Sequence, residues 1–370
     1  MTTWSLTLQT LSPVHIGAGQ ELRLGFDFML FQGQTWILDS DAVLEAKANL
    51  LKSNASGHYP LPGQLLNEGD FQNQRLFRYV LRGQPRSVKA DARMQAFIKD
   101  VYDRPYIPGS SLKGAIRTAL AWKGWQELHM SPLRREDIGN NRNWAAKPLE
   151  AKIFGRDSNH DLLRVLQVSD LHGPAKPGEG LIVVNAQVLT RKAMQSPIEL
   201  EALRGDLTFS GSLTIDETLF APWAEPELGF SSRKPWLDQL LPRVNDHSRA
   251  RIARLQKWFE SLESTAPNAE KIVAFYRQLA NLKLQPNQAL LQIGWGAGWD
   301  GKTYWTHLQQ DKILFERLVR DFQMDKAGKS SRRKPGDPFP TSRLVAVSGK
   351  NEAAKPVAPF GWVLIQLEER

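Results

Sequence analysis

The sequence predicts an α+β protein built from split βαβ units rather than a doubly wound parallel sheet. Stretches with strand periodicity alternate with amphipathic helical stretches in both halves of the chain. Several neighbouring strands are also joined by turns too short to hold a crossover helix. No short-period repeat is visible.

The elements follow in order. Trp4, Leu6 and Leu8 alternate with polar residues, so Trp4 to Leu11 reads as the first strand, broken at Ser12-Pro13 and followed by the small-residue loop Val14-His-Ile-Gly-Ala-Gly19. Phe26 to Phe31 and Thr35 to Leu38 are strands turning through Gly33, and Asp39-Ser-Asp41 can cap a helix over Ala42 to Leu51. Residues 53–70 read as loop, Phe71 to Leu81 as a short basic helix, and 83–104 as irregular. A helix opens after Pro108-Gly109, with Ser110 or Ser111 as N-cap and Leu112, Ala115, Ile116, Ala119 and Leu120 on one apolar face. Glu127 to Pro148 is a polar excursion with a mobile character, and Leu163 to Val168 is a strand ending at Ser169-Asp170.

Gly173 to Gly180 is the clearest linker by composition and sets a division into units of residues 1–175 and 176–370. In the second unit Leu181 to Leu189 and Asp206 to Ile215 are strands flanking Pro197 to Leu203. Helices then span about Asp246 to Leu262 and Pro267 to Leu282, within an insertion at 246–283. Ala289 to Ile293 is a strand feeding the glycine-rich loop 294–303; a helix covers Asp311 to Phe322, a basic Ser/Pro/Gly-rich segment covers 326–340, and Trp362 to Leu367 is the closing strand.

At 370 residues, with 41% hydrophobic and 24% charged content, the chain can bury a sizeable core. No apolar run reaches the length of a membrane span, Met-Thr-Thr-Trp does not read as a signal peptide, and there is no cysteine. These features predict a cytoplasmic protein without disulfides or thiolate chemistry. The net charge of +9 is unevenly spread: eleven Lys/Arg lie from Arg75 to Lys123, opposed by Asp91, Asp100 and Asp103. Further basic runs are Arg249, Arg251, Arg254, Lys257 and Lys329, Arg332, Arg333, Lys334. Such stripes favour a polyanionic partner. Glu199 and Glu201 read as surface charges or as partners for an arginine of a neighbouring subunit.

Tyr106 to Leu120 organises the chemistry. A glycine that admits close approach, a helix N-terminus, and Lys113 and Arg117 one turn apart together suit phosphate. With Leu11-Ser-Pro-Val-His-Ile-Gly-Ala-Gly19, Ile293-Gly-Trp-Gly-Ala-Gly-Trp-Asp-Gly-Lys-Thr303, Pro338 to Arg343 and Pro359-Phe-Gly-Trp362, this stretch resembles the RAMP proteins of type III-A CRISPR–Cas, within them the family of fifth Csm subunits. The resemblance implies two ferredoxin-like domains with helical insertions and glycine-rich loops on crRNA. It also implies a terminal place at the 3′ end of the guide, beside backbone RAMP subunits and other Csm subunits, with host ribonucleases as further partners for guide trimming. The RNA-contact set it implies is His15, Gly17, Gly19, Ser110, Ser111, Lys113, Arg117, Gly294, Gly296, Gly298, Lys302, Thr303, Arg332 and Arg333.

Two enzymatic alternatives compete. Gly296 to Thr303 matches the P-loop pattern, but little chain follows it to build the sheet an NTPase needs, and Trp295 and Trp299 are bulky beside phosphates. His15 could serve a metal-independent endoribonuclease as general acid–base, but no second catalytic group is placed beside it. No histidine pair has ligand spacing, so neither metal nor cofactor is expected, and Asp170 reads as a turn or cap residue. The predicted function is a non-catalytic crRNA-binding subunit.

Overall fold

The computed structural model describes residues 1–141, 144–191, 193–262, 269–324, 326–327, 331–337, 339–349 and 354–369. In chain order the strands are β1 (Thr2–Thr10), β2 (Gly17–Arg23), β3 (Phe28–Phe31), β4 (Gln34–Leu38), β5 (Phe77–Arg82), β6 (Arg93–Phe97), β7 (Tyr106–Ile107), β8 (Leu166–Val168) and β9 (Leu171–His172). They continue with β10 (Leu181–Thr190), β11 (Met194–Leu203), β12 (Thr208–Ile215), β13 (Gln288–Gln292), β14 (Lys326–Ala327), β15 (Ser331–Arg332), β16 (Ser342–Ser348), β17 (Lys355–Pro359) and β18 (Trp362–Glu369). The helices are α1 (Ser40–Ala46), α2 (Gly109–Glu127), α3 (Lys147–Phe154), α4 (Glu225–Leu228), α5 (Lys234–Asp238), α6 (Leu240–Glu260), α7 (Glu270–Asn281) and α8 (Lys312–Asp321).

Two large sheets form. The first runs β13-β18-β1-β12-β9-β7, with β8 also on β12; the second runs β2-β6-β11-β10-β5-β4-β3, with β16 on β10 and β17 on β16. Pairing is antiparallel except for single contacts of β10 with β5 and β11 with β6. Mixed α+β architecture is therefore observed. Both sheets draw strands from either side of residue 175: β1 lies between β12 and β18, so the first strand of the chain is hydrogen-bonded to the last. The 173–180 segment is exposed over residues 175–177 but touches the core at its glycines, where a Cβ on Gly173, Gly178 or Gly180 would meet Phe209, Tyr79 or Leu207.

The core explains α2. Leu112, Ile116, Ala119 and Leu120 are buried in one cluster with Leu6 and Leu8 of β1 and Val363 and Ile365 of β18. One face of the helix thus lies on the first sheet, as the 3.6-residue spacing predicts.

Several elements differ from expectation. The basic helix over 71–81 is instead a pair of short 3-10 turns and strand β5. Phe77, Tyr79 and Leu81 point inward while Arg78, Val80 and Arg82 face out, a period of two that arginine's high helix propensity obscures. β6 forms within the irregular segment, Pro197 to Leu203 is part of β11, and β16 and β17 precede the closing strand. The polar excursion carries structure of its own: Ile138 and Ala146 are buried, and α3, which starts within it at Lys147, packs against α2. Residues 142–143 of that excursion lie outside the described part.

Candidate nucleic-acid interface

The four glycine-punctuated motifs, far apart in sequence, meet at one place. Trp295 N–H donates to the His15 carbonyl at 2.8 Å, Ile293 N–H to the Gly361 carbonyl at 2.8 Å, and Gly361 N–H to the Pro13 carbonyl at 2.8 Å. Trp362 N–H donates to Ser12 Oγ at 3.0 Å. Arg343 binds Asp300 with both terminal nitrogens, at 2.6 and 2.9 Å. Beside this crossing, the first turns of α2 and the glycine-rich loop enclose a cleft of about 330 Å³ lined by Ser110, Ser111, Gly114, Ala115, Thr118, Gln292, Gly294, Ala297 and Lys302.

Most of the loop glycines are required by packing. A Cβ on Gly294 would lie 2.5 Å from the His15 carbonyl oxygen, one on Gly296 2.7 Å from Phe360 Cβ, one on Gly301 2.6 Å from an Arg251 nitrogen, and one on Gly361 2.2 Å from the Ile293 carbonyl oxygen. Backbones cross where side chains do not fit. Gly19 and Gly114 differ: a Cβ at either would meet nothing within 4 Å. Gly17 and Gly19 are exposed on edge strand β2, where the register against β6 shifts between Gly17 and Glu21.

The start of α2 is capped from outside. Its N-cap is Pro108, without a side-chain bond from Ser110 or Ser111. Asp170 supplies a carboxylate instead, accepting from Gly109 N–H at 2.8 Å. Gly109 is pressed onto the β8–β9 connection, where a Cβ would sit 2.2 Å from the Val168 carbonyl oxygen. Asp170 is thus a cap, with the negative charge at the positive end of the helix dipole. Ser110 is left exposed at the cleft mouth.

The cations divide sharply. Lys302 is exposed at the cleft, with Thr303 half-buried next to it. Lys113 is half-buried, and burial lowers its pKa. Arg117 turns away: it pairs with Asp161 at 2.7 Å and lies over the Phe154 ring at 4.0 Å. Arg333 binds both oxygens of Glu316 at 2.7 Å, while the side chain of Arg332 lies outside the described part. Gly298 is exposed, with its φ at +73°.

His15 is buried, and its Nδ1 lies 2.6 Å from the Glu201 carbonyl oxygen. Desolvation lowers its pKa, favouring the neutral ring. Trp295 and Phe97 meet the imidazole edge-on. Below it, the fully buried Glu201 carboxylate accepts from Tyr79 Oη at 2.8 Å, Phe97 N–H at 2.8 Å and Lys99 Nζ at 2.5 Å. Glu199 pairs with Arg86 at 3.4 Å. Both carboxylates therefore have partners within the chain, where the sequence reading set them on the surface or against a neighbour.

Asp300, inside the P-loop-like stretch, is fully buried. Burial alone would raise its pKa, but Arg343, Arg251 and Arg254 outweigh that and hold the carboxyl below its usual range. Trp299 packs edge-on against Phe315 and Phe339. Sequence reasoning did not find Arg343 and Gln292, which hold the loop from behind. An arginine five residues after Pro338 and a glutamine closing a strand carry no local signal of that role. Among the described residues no group of three or more His, Cys, Asp or Glu could hold a metal ion, and no helix is long and apolar enough to cross a membrane.

The CRISPR system Cms protein Csm5 of Methanocaldococcus jannaschii is 24% identical over 400 residues, covering 99% of this chain and 90% of that protein. The Csm5 protein of Streptococcus thermophilus is 30% identical over 254 residues, covering 58% and 65%. A chain in the cryo-EM structure of a Csm–crRNA–target RNA ternary complex of a type III-A CRISPR–Cas system superposes with a TM-score of 0.73 at 23% identity, covering 99% of this chain and 100% of that one. The crystal structure of T. onnurineus Csm5 gives 0.64 at 21% identity, covering 96% and 99%. A family model described as the RAMP superfamily matches residues 7–299, and the chain belongs to that superfamily.

Proposed function

We propose that this protein is a non-catalytic crRNA-binding subunit of a type III-A Csm complex, capping the 3′ part of the guide and contacting neighbouring backbone RAMP subunits. The observation that carries the reading is the meeting of four distant motifs at one crossing, where two of them, the start of α2 and the glycine-rich loop, enclose a cleft. Ser110, Ser111, Lys113, Lys302 and Thr303, with the exposed start of β2 at Gly17 to Gly19, contact ribose-phosphate. Arg117 and Arg333 hold the fold through Asp161 and Glu316. Guide trimming falls to separate ribonucleases, host enzymes among them. We also read each sheet as the core of one ferredoxin-like unit, with units following sheets rather than halves of the chain.

Burial of His15 against a backbone carbonyl supports a structural part for that ring. Sequestration of Asp300 by Arg343 favours a packed loop over a nucleotide-hydrolysing one. Filter binding of single-stranded guide RNA against salt tests the reading. Affinity falls steeply with salt, by about 0.7 log unit per decade for each phosphate contact. Lys302→Ala with Lys113→Ala lowers that slope and weakens all sequences about equally; a loss confined to one sequence contradicts backbone recognition.

A further inference from the structure

Behind the glycine-rich loop, one stripe of α6 presents His247, Arg251, Arg254 and Trp258, at spacings of four, three and four residues. Arg251 donates to Gln292 Oε1 at 2.6 Å and the Ala297 carbonyl at 3.0 Å. Arg343 joins the stripe from β16, lying over the Trp258 ring. The carboxylate facing these three guanidinium groups, among the described residues, is Asp300. The ionisable neighbours besides are Tyr276 and His307, both uncharged near neutral pH.

The donors outnumber the acceptors. Arg251 Nε, Arg254 Nη1, Arg343 Nε and Trp258 Nε1 are all buried donors without a hydrogen-bond partner. A surplus of two positive charges in a region of low dielectric is costly unless an anion joins it. Arg254 reaches furthest toward solvent: it is half-buried, whereas Arg251 and Arg343 are buried. The loop in front is thin, because Gly301 lines the cleft on one side and a Cβ there would touch Arg251 on the other.

We propose that the arginine stripe of α6, entered at Arg254 and completed by Arg343, is an oxyanion site that takes a phosphate group beneath the glycine-rich loop. The phosphate comes either from the RNA backbone or from free phosphate. The RNA source rests on the function proposed above; the free source does not.

Two measurements on the full chain test the site. Melting is followed against inorganic phosphate, with chloride adjusted to hold ionic strength constant, in the wild type, Arg254→Gln and Arg254→Lys. Phosphate raises the wild-type midpoint by mass action, Arg254→Gln abolishes the rise, and Arg254→Lys restores part of it. Because this is a response within each variant, a general loss of stability in Arg254→Gln does not mimic it. A wild type that does not respond, or a response unchanged in Arg254→Gln, overturns the proposal. In the second arm, the salt slope of RNA binding falls by about 0.7 in Arg254→Gln if an RNA phosphate occupies the site. An unchanged slope with the phosphate response lost assigns the site to free oxyanion.

Discussion

Two basic segments of this chain look alike on paper and part ways once folded. From Arg75 to Lys123, seven of the eleven cations are in ion pairs, with Asp103, Glu199, Glu21, Glu201, Asp100, Asp161 and Asp246. Most of those carboxylates are distant in sequence, so most of the segment's local excess of charge is offset by tertiary structure. Along α6 the run is shorter and half of it turns inward: Arg251 is buried against Gln292, Arg254 is half-buried, the exposed Arg249 donates to the Ala280 and Leu282 carbonyls at the end of α7, and a single described carboxylate serves Arg251, Arg254 and Arg343. A charge run therefore reports on a binding field only after its partners have been found.

The largest expected effect lies in the α6 region. Asp300→Asn leaves the buried Arg251 and Arg343, with the half-buried Arg254, without a counter-charge and should destabilise the fold by about 3–5 kcal/mol, read by urea unfolding. A cost below about 1 kcal/mol would mean that the cluster is solvated and the contrast is false.

His247 sharpens the same contrast through pH. Burial, with Arg251 and Arg254 adding to it, lowers its pKa from the ordinary 6.5 to about 3. The unfolded chain takes up this proton below pH 6.5 while the folded protein resists until about 3. Stability is thus full above the unfolded value and falls with acidification, by up to about 1.4 kcal/mol per pH unit across that window. In His247→Phe the slope should flatten by that amount; an unchanged slope would place the histidine in water.

The smallest effect belongs to the first segment. Arg93 and Glu21 form a 2.8 Å pair that is largely exposed on both sides. Arg93→Gln should cost no more than about 0.5 kcal/mol and leave the salt slope of RNA binding nearly unaltered. A slope reduced as much as by Lys302→Ala would put the guide on the paired segment instead.

Legibility in the sequence followed periodicity and failed where partners were remote. The apolar face of α2, the closing strand and the alternation of β1 were readable because each repeats a local spacing. β5 was not, since arginines at every other outward position disguised a two-residue alternation as a basic helix. The motifs located the site, but the roles of their glycines were only half visible. Close approach at Gly294 and Gly361 serves other backbone of this chain, and no local pattern distinguishes that from an approach to phosphate. Arg117, one turn from Lys113, looked equally available; Asp161, forty-four residues on, takes it.

The cleft claim is tested most directly at Gly114. It lies on the exposed face of α2, lines the cleft, and a Cβ there would meet nothing within 4 Å. Glycine inside a helix is unfavourable by roughly 0.5–1 kcal/mol, so Gly114→Gln should leave the fold as stable as wild type or more so. Its affinity for single-stranded guide RNA should nonetheless drop at least about tenfold, because the new side chain fills the space between Ser111 and Lys302; that factor corresponds to about 1.4 kcal/mol. Wild-type affinity in a folded Gly114→Gln protein would contradict it.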